Sequence, residues 1–184
     1  HYRQAAERRV ALRDVANEGH ARNNLANTLR CLGRIQEARR EIERAIECKR
    51  GLDYAAEPWT SWAILAEIEN ADGRASEAHQ AGRQAREAFL AYRRNGGENH
   101  IGGAPLAAEI NRLLLAGDRG SAGAGLAQLA GVANPPAWLP PFVTALQAVV
   151  AGERRASLAD TPGLAYHNAA EILLLLDRLA AASR

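Results

Sequence analysis

The sequence predicts an all-α fold in which helical hairpins stack as a solenoid that ends in C-terminal capping helices. Three observations lead to this prediction: a repeat of 40 residues, apolar residues at helical spacing within each repeat, and a glycine between the two apolar segments. The chain has 184 residues. At roughly 40 residues for each hairpin, this length accommodates about four to five hairpins.

The repeat is visible as identical residues that stand 40 positions apart. Gly33-Arg34 recurs as Gly73-Arg74, and Glu37-Ala38 recurs as Glu77-Ala78. The further identities at this spacing are Ala26 with Ala66, Ala45 with Ala85, and Glu47 with Glu87. Because all of them share one spacing, we predict two successive units of the same structure.

Each unit contains two amphipathic segments around its glycine. The first segment of the first unit carries Leu25, Leu29 and Leu32 at helical spacing. Gly33 then predicts the end of that helix, because glycine adopts a positive φ at low cost. The second segment places small and apolar residues on one stripe, namely Ile35, Ala38, Ile42, Ala45 and Ile46. The recurring alanines predict that two helices approach closely, since a larger side chain would separate them.

These residues resemble a tetratricopeptide repeat. The resemblance lies in Leu25-Ala26 of the first helix and in the small and apolar positions of the second helix, which are Ala38, Ile42 and Ala45. The order Asn23-Asn24-Leu25-Ala26, then Gly33-Arg34, then Glu37-Ala38 is similar to the longer-period variety found in kinesin light chains and many bacterial proteins. The second unit differs by having Gly82 where the first has Ile42, and both units lack the usual proline at the repeat end.

The resemblance implies a right-handed superhelix in which the first helix of each hairpin lines a concave groove. It covers residues 20–93 well and the flanking segments loosely. It also implies a bacterial, cytoplasmic protein that binds other proteins.

The predicted organisation has three parts. Residues 1–94 form tetratricopeptide-like hairpins, with two clear repeats at about 20–50 and 60–93 and a preceding helix at 2–16. Residues 95–104 form a glycine-rich loop. Residues 105–184 form a degenerate hairpin, in which Gly117 takes the place of Gly33, followed by capping helices at about 140–151 and 167–182.

Composition narrows the class of partner. The formal net charge is +2, from 23 basic and 21 acidic residues, so the sequence predicts no nucleic-acid partner. The longest apolar stretch, residues 172–176, is too short for a membrane span, and no membrane partner is expected. The chain begins at His1 and contains no methionine, so we expect it to be a piece of a longer protein.

Groove-facing positions follow from the resemblance, residue by residue. In the first unit they are His20, Asn23, Asn27 and Arg30. In the second unit they are Thr60, Ala63, Glu67 and Asn70. Helical spacing supports the first set independently, because its last three members stand at i, i+4 and i+7, opposite the leucine stripe.

The chemistry of these side chains suits an extended peptide. Asparagine amides both donate and accept hydrogen bonds, so Asn23 and Asn27 could hold a peptide backbone without reading its sequence. Arg30 could bind a carboxylate through two parallel hydrogen bonds. The alternative is an ordinary solvated polar face, which needs no partner.

Residues 36–50 are densely charged, with acidic and basic residues interleaved at i, i+3 and i, i+4. A nucleic-acid face would show basic residues without interleaved acids. We therefore predict a solvated convex face whose charges pair within the helix, as in Arg39 with Glu43 and Arg44 with Glu47.

The best enzyme-like cluster is Glu98, Asn99 and His100 in the glycine-rich loop, joined in principle by His79 or His167. No two histidines stand at i, i+3 or i, i+4, and the usual nucleophile and phosphate motifs are missing. We therefore expect no catalytic residue, no metal site and no cofactor, and expect the loop to cap helix ends or to pack on the helices.

The sequence thus predicts a non-enzymatic module that binds a protein or peptide in the concave groove of a solenoid. The alternative is a structural or regulatory C-terminal arm of a larger protein, which packs on its effector domain or self-associates as a homo-oligomer. RNA recognition by helical repeats would need a regular base-reading pair in each repeat, and none is visible.

Overall fold

The computed structural model describes residues 2–11, 14–52, 54–100 and 102–183. These residues contain nine α-helices and no strand. The helices are α1 Tyr2–Ala11, α2 Val15–Cys31, α3 Ile35–Lys49, α4 Pro58–Ala71, α5 Ala75–Arg94, α6 Ala104–Leu115, α7 Arg119–Ala130, α8 Leu139–Val150 and α9 Tyr166–Ala182. Short 3-10 helices span Tyr54–Ala56 and Ala156–Asp160. The all-α prediction is confirmed.

The chain divides into two compact units, His1–Phe89 and Leu90–Arg184. The division falls within α5, between Phe89 and Leu90, and separates two groups of residues that each pack mainly among themselves. It does not test the predicted boundaries of the repeats, which stay a prediction.

Three helix-to-helix turns share one backbone conformation. Gly33, Gly73 and Gly117 have φ values of +72°, +75° and +76°. At each turn the residue after the glycine donates its N–H to the carbonyl five residues earlier, at 2.9 Å: Arg34 to Leu29, Arg74 to Glu69 and Asp118 to Leu113. This pattern satisfies carbonyls that a helix end would leave without donors. Gly117, like Gly33 and Gly73, therefore ends one helix of a pair.

The core of the first unit joins α2, α3 and α4. Its alanines Ala26, Ala38 and Ala45 are fully buried, as their recurrence predicted. The remaining core residues are Leu25, Leu29, Ile42 and Ile68.

The turn at Gly73 makes α4 and α5 antiparallel. Trp59, near the start of α4, contacts Phe89, near the end of α5, with ring centroids 5.4 Å apart in an edge-to-face arrangement. Both rings are buried. Trp59 is therefore a packing residue.

The predicted helix at 2–16 differs from the structure. Helix α1 ends at Ala11, and α2 begins at Val15, several residues before the predicted start of the first repeat. Asp14 causes the early start, because its carboxylate accepts a hydrogen bond from Asn17 N at 3.4 Å and caps the first turn of α2.

The core of the second unit is built from α6 to α9. Its largest fully buried side chains include Phe142, Leu146, Ile172 and Leu175. The helices predicted at about 140–151 and 167–182 are present as α8 and α9. Helices α6 and α7 lie in the segment for which a degenerate hairpin is predicted.

The glycine-rich segment packs against α9 within the second unit. Asn99 Nδ2 donates to Glu171 Oε1 at 2.8 Å, and the backbone N–H of Gly103 donates to Asn168 Oδ1 at 2.8 Å. Arg93 binds the same Glu171 carboxylate at 2.8 Å. A side chain at Gly103 would overlap the ring of Phe142, so only glycine fits there. None of the described helices combines the length and the apolar composition that a membrane span requires.

We predict that Gly73→Ala lowers the free energy of unfolding by about 1–2 kcal/mol, because alanine is strained at positive φ. Nothing lies within 4 Å of the added methyl group, so the effect is one of backbone conformation alone. Chemical denaturation followed by circular dichroism measures it.

The matched control is Gly82→Ala inside α5, where the added methyl group also meets nothing within 4 Å. There the same substitution should raise the free energy of unfolding by about 0.5–1 kcal/mol, because alanine favours a helix over glycine. Equal effects of the two substitutions would contradict the turn geometry.

Candidate functional site

The seven predicted site residues lie in two different environments of the first unit. Toward the C-terminal ends of α2 and α4, the side chains of Asn27, Glu67 and Asn70 are exposed and that of Arg30 is half-buried. Those toward the N-terminal ends are buried or half-buried: His20, Asn23 and Thr60.

We call Asn27, Arg30, Glu67 and Asn70 the α2/α4 face. The contacts within this face centre on Arg30. Arg30 Nη2 lies 3.0 Å from Glu67 Oε2, so an ion pair joins the two helices. The same guanidinium donates to Asn27 Oδ1 from Nε and Nη2, at 3.2 and 2.9 Å. The Arg30 guanidinium is therefore already paired with a carboxylate from this chain.

Asn23 lies between helices instead of facing solvent. It is 6% exposed. Its Nδ2 donates to Thr60 Oγ1 at 3.0 Å, and its Oδ1 accepts from Ser61 Oγ at 2.8 Å. Both ends of the amide are therefore used to join α2 to α4, as the burial of a polar side chain requires.

A lysine that sequence analysis did not single out continues this hydrogen-bonded chain. Lys49, the last residue of α3, is 2% exposed. Its Nζ donates to Thr60 Oγ1 at 3.1 Å and to the Glu57 carbonyl at 3.4 Å. Gly19 of α2 packs on the aliphatic part of the side chain, where an added Cβ would lie 3.1 Å from Lys49 Cγ. We call Asn23, Lys49, Thr60 and Ser61 the buried polar junction.

Burial controls the ionisation of the junction. It lowers the pKa of Lys49 from 10.5 to about 8, and the negative charge of Glu57 opposes this shift. The pKa of the neighbouring His20 is also lowered, first by burial and then by the positive charge of Lys49. Among the described residues, no carboxylate lies within ion-pair distance of the Lys49 amine.

One signal in the sequence could have identified this residue. Lys49 is the single lysine of the chain, and every other member of the 23 Lys and Arg residues is arginine. An arginine stays charged in proteins, whereas a buried lysine can lose its proton. The chain therefore has lysine, and not arginine, at the buried position where a basic group can lose its proton.

The charges of α3 pair mainly with other helices, which differs from the predicted pairing within the helix. Arg39 binds Glu69 of α4 at 2.8 Å and Asp72 at 2.7 Å, instead of Glu43. Arg44 pairs with Glu47, as predicted, at 3.1 Å. The reason is burial, since Glu69 is 4% exposed and its carboxylate needs a partner.

The contacts of Arg39 shift the pKa values of Arg39 and Asp72 so that both groups stay charged. Hydrogen bonds from Arg39 lower the pKa of Asp72, and hydrogen bonds to Glu69 and Asp72 raise the pKa of Arg39.

The enzyme-like cluster does not converge on one point. His100 pairs with Glu98 at 2.8 Å in an exposed position, while Asn99 points to Glu171. In the described part of the chain, no group of three histidine, cysteine or acidic side chains could hold a metal ion.

The buried amine predicts a dependence of stability on pH. Between pH 8 and pH 10.5 most unfolded chains keep the proton on Lys49, while most folded chains release it. The unfolded state then binds more protons, so the free energy of unfolding rises with pH in this window. Relative to Lys49→Met, we expect wild type to gain up to about 3 kcal/mol between pH 7.5 and 10.5.

Guanidinium denaturation of both proteins at four pH values measures this difference. Subtraction of the two curves removes the contributions of groups that the proteins share. Parallel curves across the window would contradict the burial of the amine away from carboxylates.

No family model, no curated protein and no solved structure matches this chain. What the site does therefore has to be inferred from the chemistry of its own residues.

Proposed function

We propose that this chain is a non-enzymatic module that binds a peptide or protein on the α2/α4 face. In this proposal the hairpins form a right-handed superhelix of the tetratricopeptide type, and the protein works in the cytoplasm of a bacterium. The proposal is carried by one observation: Asn27 and Asn70 are exposed on two neighbouring helices that the Arg30–Glu67 ion pair joins.

The face offers hydrogen-bonding groups of both kinds. Arg30 occupies the oxygen of Asn27, which leaves the amide N–H groups of that side chain directed to a partner. Asn70 is exposed and can both donate and accept. Because Arg30 is paired with Glu67, net charge at the centre of the face is small. These groups suit the alternating N–H and C=O of an extended backbone more than a densely charged ligand.

Position also favours an interaction surface. Toward the other end of α2 and α4, the polar side chains hydrogen-bond one another in the buried polar junction. These hydrogen bonds hold the two helices together. The α2/α4 face is thus presented by helices whose spacing is set elsewhere, and a partner need not order them on binding.

The experiment is a pull-down that compares wild type with Asn27→Ala/Asn70→Ala. The substitutions remove exposed amides and spare the Arg30–Glu67 pair, so the fold should be kept. At about 1 kcal/mol for each lost hydrogen bond, we expect affinity for a retained partner to fall roughly tenfold or more.

The matched control is Gln80→Ala/Gln84→Ala, which removes two exposed amides from α5. Control and wild type should retain the same partners. If all three proteins retain the same partners with the same affinity, the α2/α4 face is not the binding surface. Sedimentation at two concentrations tests the alternative of self-association, in which the partner would be a second copy of the chain.

A further inference from the structure

A short charged segment connects α8 to α9 in the second unit, and the proposed function does not use it. Residues 154–158 read Arg-Arg-Ala-Ser-Leu. Arginine thus stands three and two positions before Ser157, and leucine stands directly after it. Ser157 is the only serine or threonine of the sequence with arginine at both positions. The α2/α4 face belongs to the first unit, so an inference from this segment is independent of peptide binding there.

The hydroxyl group and both guanidinium groups of the segment are accessible to another protein. Arg154, Arg155 and Ser157 are all exposed. The side chain of Arg155 is 77% exposed and pairs with its near neighbour Glu153. Arg154 donates to the carbonyls of Val149 and Glu153, at 2.6 and 2.8 Å. Within the described chain, no group hydrogen-bonds to the Ser157 hydroxyl, which is therefore available for reaction.

The backbone of the segment is held by local contacts of a weak kind. Ser157 lies in the 3-10 helix Ala156–Asp160, where the Leu158 N–H donates to the Arg155 carbonyl at 3.1 Å. Hydrogen bonds of this type have poorer geometry than those of an α-helix. Because the 3-10 helix lies outside α8 and α9, its opening leaves the backbone hydrogen bonds within both helices in place. The segment can therefore adapt to the cleft of an enzyme.

The order of charged and apolar groups indicates which kind of enzyme fits. A guanidinium group binds a carboxylate through two parallel hydrogen bonds, so two arginines before the hydroxyl suit a cleft with acidic residues on that side. Leu158, which is half-buried against the core of the second unit, suits an apolar pocket on the other side. Protein kinases distinguish their substrates by charge patterns of this kind. The segment therefore joins an accessible hydroxyl to the recognition groups of a kinase substrate.

We propose that Ser157 is a phosphorylation site for a serine kinase that selects arginine three and two positions before the hydroxyl. The second reactant is ATP bound to Mg²⁺. Ser157 Oγ forms a bond to the γ-phosphorus, and the bond from that phosphorus to the oxygen bridging it to the β-phosphate breaks, so ADP leaves. The hydroxyl proton passes to the catalytic aspartate of the kinase and then to solvent. The balanced step is serine plus ATP giving phosphoserine, ADP and one proton.

Phosphorylation would reverse the charge of the connection between α8 and α9. Residues 153–157 carry two basic side chains and one acidic side chain, which gives a formal charge of +1. Phosphoserine adds about −1.5 to −2 at pH 7, so the sum becomes negative. The phosphate also competes with Glu153 for Arg155, because arginine binds phosphate and carboxylate through the same paired hydrogen bonds. The site is therefore a charge switch on the surface of the second unit.

The test incubates the full chain with ATP, Mg²⁺ and the catalytic subunit of cyclic-AMP-dependent protein kinase, which selects arginine at these two positions. Peptide mapping by mass spectrometry then measures the initial rate of phosphorylation at each serine and threonine. Ser76 and Ser121 are internal controls, because each is exposed and has arginine two positions before it but not three.

We expect the rate at Ser157 to exceed the rate at either control serine at least about tenfold, because one of the two arginine contacts is missing at the controls. Equal rates at the three serines, or no phosphate on Ser157, would overturn the proposal. Ser157→Ala should leave the rates at Ser76 and Ser121 unchanged.

A second variant tests the part played by charge. Arg155→Ala should lower the rate at Ser157 about tenfold, and circular dichroism checks that the variant is folded. Arg155 is the better choice because Arg154 also binds a carbonyl in the last turn of α8. The matched control, Arg83→Ala, removes an exposed arginine from α5 and should leave the rate unchanged. An undiminished rate in folded Arg155→Ala, or an equal fall in the control, would count against recognition of this segment by its arginines and overturn the proposal.

Discussion

The left-handed glycine at each hairpin turn is the constraint on which the first unit depends. Gly33 and Gly73 reverse the chain within a few residues and let the following residue donate back to the preceding helix. Only after this reversal can the alanines of α2 and α3 meet at full burial. The spacing of the hairpins along the sequence is thus set by backbone conformation, and the close packing follows from it.

Two kinds of polar contact then hold successive helices in register. The buried polar junction joins α2, α3 and α4 through neutral hydrogen bonds and one amine, while Arg39 joins α3 to α4 through Glu69. Buried groups of this kind lose much if one partner is removed, so they specify a single arrangement of the helices. The exposed Arg30–Glu67 pair contributes less to stability, typically about 0.2–1 kcal/mol. It is therefore better suited to presenting a surface than to holding the fold.

The α2/α4 face and the buried polar junction occupy different ends of α2 and α4. Thr60 is a predicted groove residue, yet in the structure it binds Asn23 and Lys49 of the junction. The junction holds α4 beside α2 and α3, and α4 also carries Glu67 and Asn70 of the face.

The sequence by itself determined the helices, the glycine turns and the small residues of the core, because these follow from local backbone preference and from periodic contact. It could not decide which polar positions of α2 and α4 reach solvent. Asn23 and Asn27 look equivalent as a helical face, yet one is buried beside Thr60 and the other is exposed. The tertiary structure alone decided this, and it also brought Lys49 beside Thr60. Burial and pKa depend on which helix packs where, and spacing along one helix does not contain that information.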